Sequence, residues 1–273
     1  MRFTSFLRFT TLLLGTEVAV LAAPAENTEK RDFAFSELHK LALFGDSWTD
    51  MRFDVAGTQP SDRNPFGNIG KTSSKGKMWP EYLATKYNSS LVLGYNLALS
   101  GAVVDVDIIP TAPHDVDYQV HEKFEPYSNQ TNFFPKKTSL FTMWVGNNDI
   151  NRSFNGTDPT INVKIIARYE ELVRHLYDIG ARNFLFLSVP PMWRFPSNTE
   201  NPDVDLPKLQ RAVEDYNRRL KRMAREIDHN LPYSTVYYYD IPPLLNAIID
   251  DPSQFAETAV YKNTTGWCSA YNA

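Results

Sequence analysis

One cysteine, Cys268, stands in 273 residues, so no bridge within the chain can staple it and a disulfide-knot fold is excluded. Glycine is scarce at 12 residues, which excludes collagen-like sequence. Positive charge is not in excess: 28 lysines and arginines face 32 aspartates and glutamates, for a net charge of −4. With no basic stripe to neutralise a phosphate backbone, the balance argues against nucleic acid as a partner. No apolar run reaches the roughly 20 residues needed to span a bilayer. The longest, Leu12 to Leu21, is broken by Glu17, which argues against a membrane anchor. What is present is 42% hydrophobic and 13% aromatic residues, enough to exclude disorder and to fill the core of one sizeable α/β domain.

Residues 1–25 have the parts of a secretory signal peptide: Arg2 and Arg8 as a positive start, the apolar run, and Ala22, Ala23 and Ala25 as small-residue cleavage positions. The expectation is a secreted, extracellular protein. Lys30 and Arg31 form a dibasic pair before Asp32, read either as a second processing site or as a charged linker. Five Asn-x-Ser/Thr sequons follow, at Asn88, Asn129, Asn151, Asn155 and Asn263, each a glycosylation candidate on exposed backbone. In an oxidising compartment Cys268 is a free thiol, an intermolecular bridge, or half of a pair whose partner this chain lacks. Residues 32–273 read as a single domain.

From residue 40 onward, short apolar runs alternate with amphipathic stretches, the pattern of a parallel sheet covered by helices on both faces. The five expected strands are Leu41 to Phe44, Leu91 to Asn96, Ser139 to Val145, Asn183 to Val189 and Thr235 to Asp240. One helix is expected from Pro159 to Ile179, capped by Asp158 and stopped by Gly180, with Ile165, Tyr169, Leu172, Val173 and Leu176 on one face. A second, Leu206 to Ile227, repeats apolar residues at steps of three and four, and shorter helices follow Met78 and Pro242. Residues 102–138 carry four prolines and no clear period, which predicts a long excursion from the carboxyl edge of the sheet, a length usually tied to function.

Three strand exits hold candidate chemistry. Phe44 to Asp50 places Ser47 outside the carboxyl end of the first strand, where open parallel sheets bind ligands. Taken alone, Ser47 with Asp50 is equally a helix-start pattern, an acidic variant of the capping box. Asn96 to Ala102 brings Gly101, whose N–H suits an anion, or is an ordinary loop. Gly146 to Asp149 brings Asn148, with two amide donors, and Asp149, an acceptor that can hold the loop, or is a turn. Together they supply a hydroxyl nucleophile and three donors, the N–H of Ser47, the N–H of Gly101 and the Asn148 side chain. That set makes an oxyanion hole for acyl transfer.

These three segments resemble the blocks of the SGNH, or GDSL, hydrolases, whose letters stand for a catalytic Ser, an oxyanion Gly, an oxyanion Asn and a catalytic His. Phe44 to Asp50 looks like the Gly-Asp-Ser block, Asn96 to Ala102 like the glycine block and Gly146 to Asp149 like the Gly-x-Asn-Asp block. The resemblance implies a flavodoxin-like α/β/α sandwich on a five-stranded parallel sheet, with Asp46, Gly146 and Asp149 in support. It implies a serine esterase acting through an acyl-enzyme on Ser47 without metal or cofactor. Within the family the chain is most similar to fungal secreted acetylesterases of plant cell-wall carbohydrate. The implied partner is therefore an acylated carbohydrate or small ester, and the default assembly a monomer. A lipase or lysophospholipase is the alternative on the same machinery. A further one is an inactive glycan-binding protein using Trp48, Trp79 and Trp144.

The resemblance fails at the base. The family places its His in a block after the fifth strand, commonly Asp-x-x-His, whereas Asp250 and Asp251 follow Asp240 here and no histidine does. His39, His114, His121, His175 and His229 all lie upstream, and only His114 and His121 fall where a carboxyl-edge site is within reach. The expectation is a domain incomplete at its C-terminal end, with the base, and a partner for Cys268, encoded beyond Ala273. Asp240 reads as the cap of the next helix and not as an orienting carboxylate.

Overall fold

A computed structural model describes residues 33–88 and 90–266; the signal-like leader, the dibasic pair and Cys268 lie outside them. Five strands form where apolar runs predict them: β1 Lys40–Gly45, β2 Leu93–Asn96, β3 Ser139–Trp144, β4 Asn183–Leu187 and β5 Thr235–Tyr239. All pair in parallel, in the order β2-β1-β3-β4-β5. The direction of winding reverses between β1 and β3, the place where open sheets leave a crevice at their carboxyl edge. β4 stops short of Val189 because the side chain of Asn217 takes over both of that residue's backbone groups, at 2.8 Å each.

Helices occupy α1 Trp79–Thr85, α2 Val116–Tyr118, α3 Glu125–Ser128, α4 Asn147–Ser153, α5 Ile161–Asp178, α6 Pro196–Thr199, α7 Leu206–Asn230 and α8 Ile241–Asp250. The helix expected from Pro159 starts two residues later. Asp158 does not cap it: its carboxylate folds back on the N–H and hydroxyl of Thr160 and on Lys164, and Thr160 takes the cap position. α7 begins as expected, with Asp205 accepting from the N–H of Lys208. Asp240 stands at the start of α8 without capping it; the N–H of Ile241 donates instead to the Ser188 hydroxyl at 2.8 Å.

Alternation along the strands builds two cores. Ala42 and Phe44 of β1, Phe141 and Met143 of β3, and Phe184 and Phe186 of β4 face α5 and α7, whose stripes Ile165, Tyr169, Leu172 and Leu209, Val213, Tyr216, Leu220 are all buried. Leu41, Leu43 and Leu140 face the other way, toward Met78 and α1, and α8 covers Leu187 and Trp144 through Ile241 and Leu245. Each such large side chain contributes about 1.5–3 kcal/mol when fully buried. The result is a three-layer α/β/α sandwich.

The excursion is not structureless. It carries α2, a π-helical turn at Gln119–Lys123 and α3. Val103 pairs with the strip at His114 to Val116, and Arg168 of α5 grips Asp105 and Asp117. Of the sequon asparagines, Asn129, Asn151, Asn155 and Asn263 are exposed and Asn88 is half-buried.

Candidate active site

Because β1 lies between β2 and β3, the loops leaving these three strands meet at one edge. The Ser47 loop is a single turn, closed by the N–H groups of Thr49 and Asp50 on the carbonyl of Asp46, both at 2.9 Å. No helix starts at Ser47, which overturns the capping alternative. The Asp46 carboxylate accepts from the N–H of Trp48 at 3.0 Å, and Asp50 turns away to the second loop, accepting from the N–H and hydroxyl of Ser100 at 2.9 and 2.6 Å.

Similar bonds close the triangle. Asp46 accepts from the side-chain amide of Asn147 at 3.0 Å, which ties the first loop to the third. Asn148 donates to the carbonyl of Ala102 at 2.9 Å, and the N–H of Val104 donates to Asp149 at 2.9 Å, tying the third loop to the second. These bonds hold loops with little regular structure to one another. Gln119 of the excursion adds a clamp: its buried amide accepts from the N–H of Gly45 and donates to its carbonyl, both at 2.8 Å, like a missing strand neighbour.

The groups left over define what the edge can do. Ser47 is half-buried and its hydroxyl has no partner among the described residues. The backbone N–H groups of Ser47 and Gly101 likewise donate to no described acceptor. Asn148 spends one amide hydrogen on Ala102 and keeps the other. A hydroxyl on the same edge as three uncommitted N–H donors is suited to attack on a carbonyl and to holding the oxyanion that forms.

Tight packing explains the glycines. Gly101 has φ +83°, and a side chain there would press on Pro113 at 3.0 Å. Gly146, at φ +123°, faces Tyr216 of α7 so closely that a Cβ would lie 2.6 Å from its hydroxyl. That hydroxyl donates to the carbonyl of Val145 at 3.0 Å, and Tyr169 does the same for Met143.

Beneath the loops, burial raises the carboxyl of Asp46 to about 6, against the pull of the Trp48 N–H and the Asn147 amide. Burial raises Asp149 to about 7, with Asp46 adding a smaller like-charge push. One oxygen of Asp149 has no donor among the described residues. These carboxyls serve as anchors in a desolvated layer.

No described histidine ring is bonded to Ser47. His121 pairs with Asp117 at 3.0 Å and stacks on His175, ring centres 4.5 Å apart; His114 is exposed on the excursion. Trp79 and Trp144 are packing residues, donating to Thr49 and to the carbonyl of Ser188, while Trp48 lies between Trp144 and Phe195. Trp144 is buried, whereas Trp48 and Trp79 are half-buried beside the Ser47 turn. Sequence reasoning missed Asn147 and Gln119. Asn147 was in view beside Asn148 but indistinguishable from a turn residue, and Gln119 carried no signal. Among the described residues no group of His, Cys, Asp or Glu is placed to hold a metal, and no helix is long and apolar enough to cross a membrane.

Comparison with known proteins places the chain among ester hydrolases. The family described as GDSL-like Lipase/Acylhydrolase matches residues 41–272. An acetylesterase of Thermothelomyces thermophilus is 31% identical over 277 residues, taking in 95% of this chain and 91% of that protein. A GDSL esterase/lipase of Arabidopsis thaliana is 25% identical over 271 residues, 84% of this chain and 71% of that one. Among solved structures, the acetylxylan esterase Axe2 from Geobacillus stearothermophilus has a TM-score of 0.49 at 15% identity, over 83% of this chain and 87% of that one.

Proposed function

The chain belongs to the GDSL-like lipase and acylhydrolase family and is a carboxylic ester hydrolase; from that premise we propose that it is secreted and removes short acyl groups, acetyl above all, from plant cell-wall carbohydrate through an acyl-enzyme on Ser47. The observation that carries the assignment of Ser47 is that its hydroxyl has no partner among the described residues, on an edge where Asp46, Asp50, Asn147, Asn148 and Ser100 each bond to a neighbouring loop. The acetyl preference is supported by the 31% identical acetylesterase. Secretion is supported by the leader-like residues 1–25 and by four exposed sequon asparagines.

In this reading the Ser47 oxygen attacks the ester carbonyl, and the carbonyl oxygen becomes an oxyanion. The N–H groups of Ser47 and Gly101 and the second amide hydrogen of Asn148 receive it. Collapse expels the alkoxide, which takes up the proton that Ser47 gave up, and leaves acetyl on Ser47; water then repeats the attack, and a proton returns to Ser47 as acetate leaves. None of the five histidines is bonded to Ser47, so the attack draws its proton acceptor from outside the contacts described above.

Purified full-chain protein is expected to hydrolyse p-nitrophenyl acetate, and Ser47→Ala to lower kcat with the fold retained, by far less than the about million-fold loss of a complete triad because a nucleophile and its base act as a unit. Equal rates for the two proteins overturn Ser47 as nucleophile. Glycan binding without any turnover favours the inactive binding protein.

A further inference from the structure

A cleft of about 640 Å³ opens beside the Gly101 loop, within the range of about 300–1,000 Å³ that small-molecule sites occupy. Leu99 lines it two residues before Gly101, and so does Pro113, the residue that a side chain at Gly101 would meet at 3.0 Å. The acetyl half of an ester, two carbons, fills little of such a space. What the cleft receives is therefore decided by its lining.

That lining combines an apolar floor with His114 and three charged side chains, of which Asp115 is committed to the N–H groups of Val106 and Tyr118. Phe53, Leu99 and Val106 supply the floor, and Tyr118, half of its surface exposed, supplies a ring at the rim. Lys123 and Asp54 both face the cleft. The Lys123 ammonium donates to the carbonyl of Leu97 at 3.1 Å, one of its three hydrogens. One oxygen of Asp54 accepts from the N–H of Ala56 at 2.9 Å, and the other has no described donor. The two side chains attract each other without an ion pair closer than 4 Å, so each keeps hydrogen-bonding capacity. A hydroxyl satisfies both kinds at once, accepting from an ammonium and donating to a carboxylate, while the C–H face of a sugar ring suits an aromatic side chain. An alkyl chain in the same place strips water from both charges and returns nothing.

We propose that this cleft is a sugar subsite that takes the alcohol half of the ester as a pyranose ring, set between Lys123 and Asp54 and against Tyr118. The assignment rests on the reading of the Gly101 loop as part of the reaction centre, and it selects carbohydrate over long-chain lipid without using the reaction itself.

The test is calorimetric titration of xylotriose into the full chain carrying Ser47→Ala, which separates binding from turnover. Xylotriose is expected to bind, Tyr118→Ala and Lys123→Met in that background each to weaken it by about tenfold or more, equivalent to about 1.4 kcal/mol, and 1-octanol to leave the binding unchanged. No binding of xylotriose up to its solubility limit overturns the subsite, as does binding that neither substitution weakens. Displacement of xylotriose by 1-octanol, with octanol binding tightened by Lys123→Met, assigns the cleft to an alkyl chain and overturns it too. If the unaltered chain still hydrolyses p-nitrophenyl acetate in any of these cases, only the subsite falls and the esterase reading stands.

Discussion

Two serines leave the carboxyl edge of the sheet, and they differ in everything but position. Ser188 follows β4 directly, is fully buried, and has both polar ends in use: its hydroxyl accepts from the N–H of Ile241 and its carbonyl from the indole of Trp144. Ser47 follows β1 by two residues, is half-buried, and its hydroxyl has no partner among the described residues. The surroundings differ in the same sense. Around Ser47 the neighbours bond to one another, Asp46 to Asn147, Asp50 to Ser100, Asn148 to Ala102, and leave the serine out. Around Ser188 they bond to the serine. A strand end presents a side chain to the crevice, but a hydroxyl stays available for chemistry only where the surrounding hydrogen bonds close without it.

That contrast is open to direct test. Of the tests that leave Ser47 in place, the largest expected effect is at the edge of β3: Asn148→Ala removes a proposed oxyanion donor and is expected to lower kcat by about 100 to 1,000-fold, with KM for p-nitrophenyl acetate little changed. Steady-state kinetics check it, and a loss confined to KM assigns Asn148 to substrate binding instead. Next comes Ser188→Ala, which strands a buried N–H and is expected to cost about 1–3 kcal/mol of stability in urea unfolding while hydrolysis stays close to that of the unaltered chain. A catalytic loss there, without a stability loss, erases the distinction between the serines.

The smallest effect concerns the carboxyls beneath the loops. Asp46 and Asp149 hold their protons more tightly folded than unfolded, at about 6 and about 7 against 3.8. Between roughly pH 4 and 7 the unfolded chain therefore binds fewer protons, and the contribution of these two groups to stability falls as pH rises, levelling off above the folded values. Asp149→Asn keeps an acceptor for the N–H of Val104 and is expected to flatten the decline of Tm across that window. An unchanged slope assigns the decline to other groups.

Much of this was legible in the chain. The five strands stand where apolar runs bounded by turns predict them, because a strand buried on both faces has no choice but apolar residues. The stripes of α5 and α7 followed from steps of three and four. Ser47, Gly101 and Asn148 were visible as three strand exits taken together, though each was ambiguous alone. The errors fell on polar side chains. Asp158 and Asp240 have the chemistry of caps, yet Asp158 turned to Thr160 and Lys164, and Asp240 lost the helix start to Ser188, 52 positions earlier in the chain. Asn147 and Gln119 were overlooked for the same reason, since their partners, Asp46 and Gly45, lie 101 and 74 residues away.

The sequence by itself determined the layers of this protein, the parallel sheet and the presence of a serine and its donors at strand exits. Burial follows a short period along the chain, and three such exits are too particular a combination to be turns. Only the tertiary structure decided which hydroxyl is left unpartnered, why Gly146 must yield to Tyr216, and that the Pro-rich excursion supplies both a clamp on Gly45 and one wall of a cleft. Those outcomes depend on hydrogen-bond partners that sheet order brings together from distant parts of the chain, and a polar side chain carries no record in its sequence neighbours of which partner it will meet.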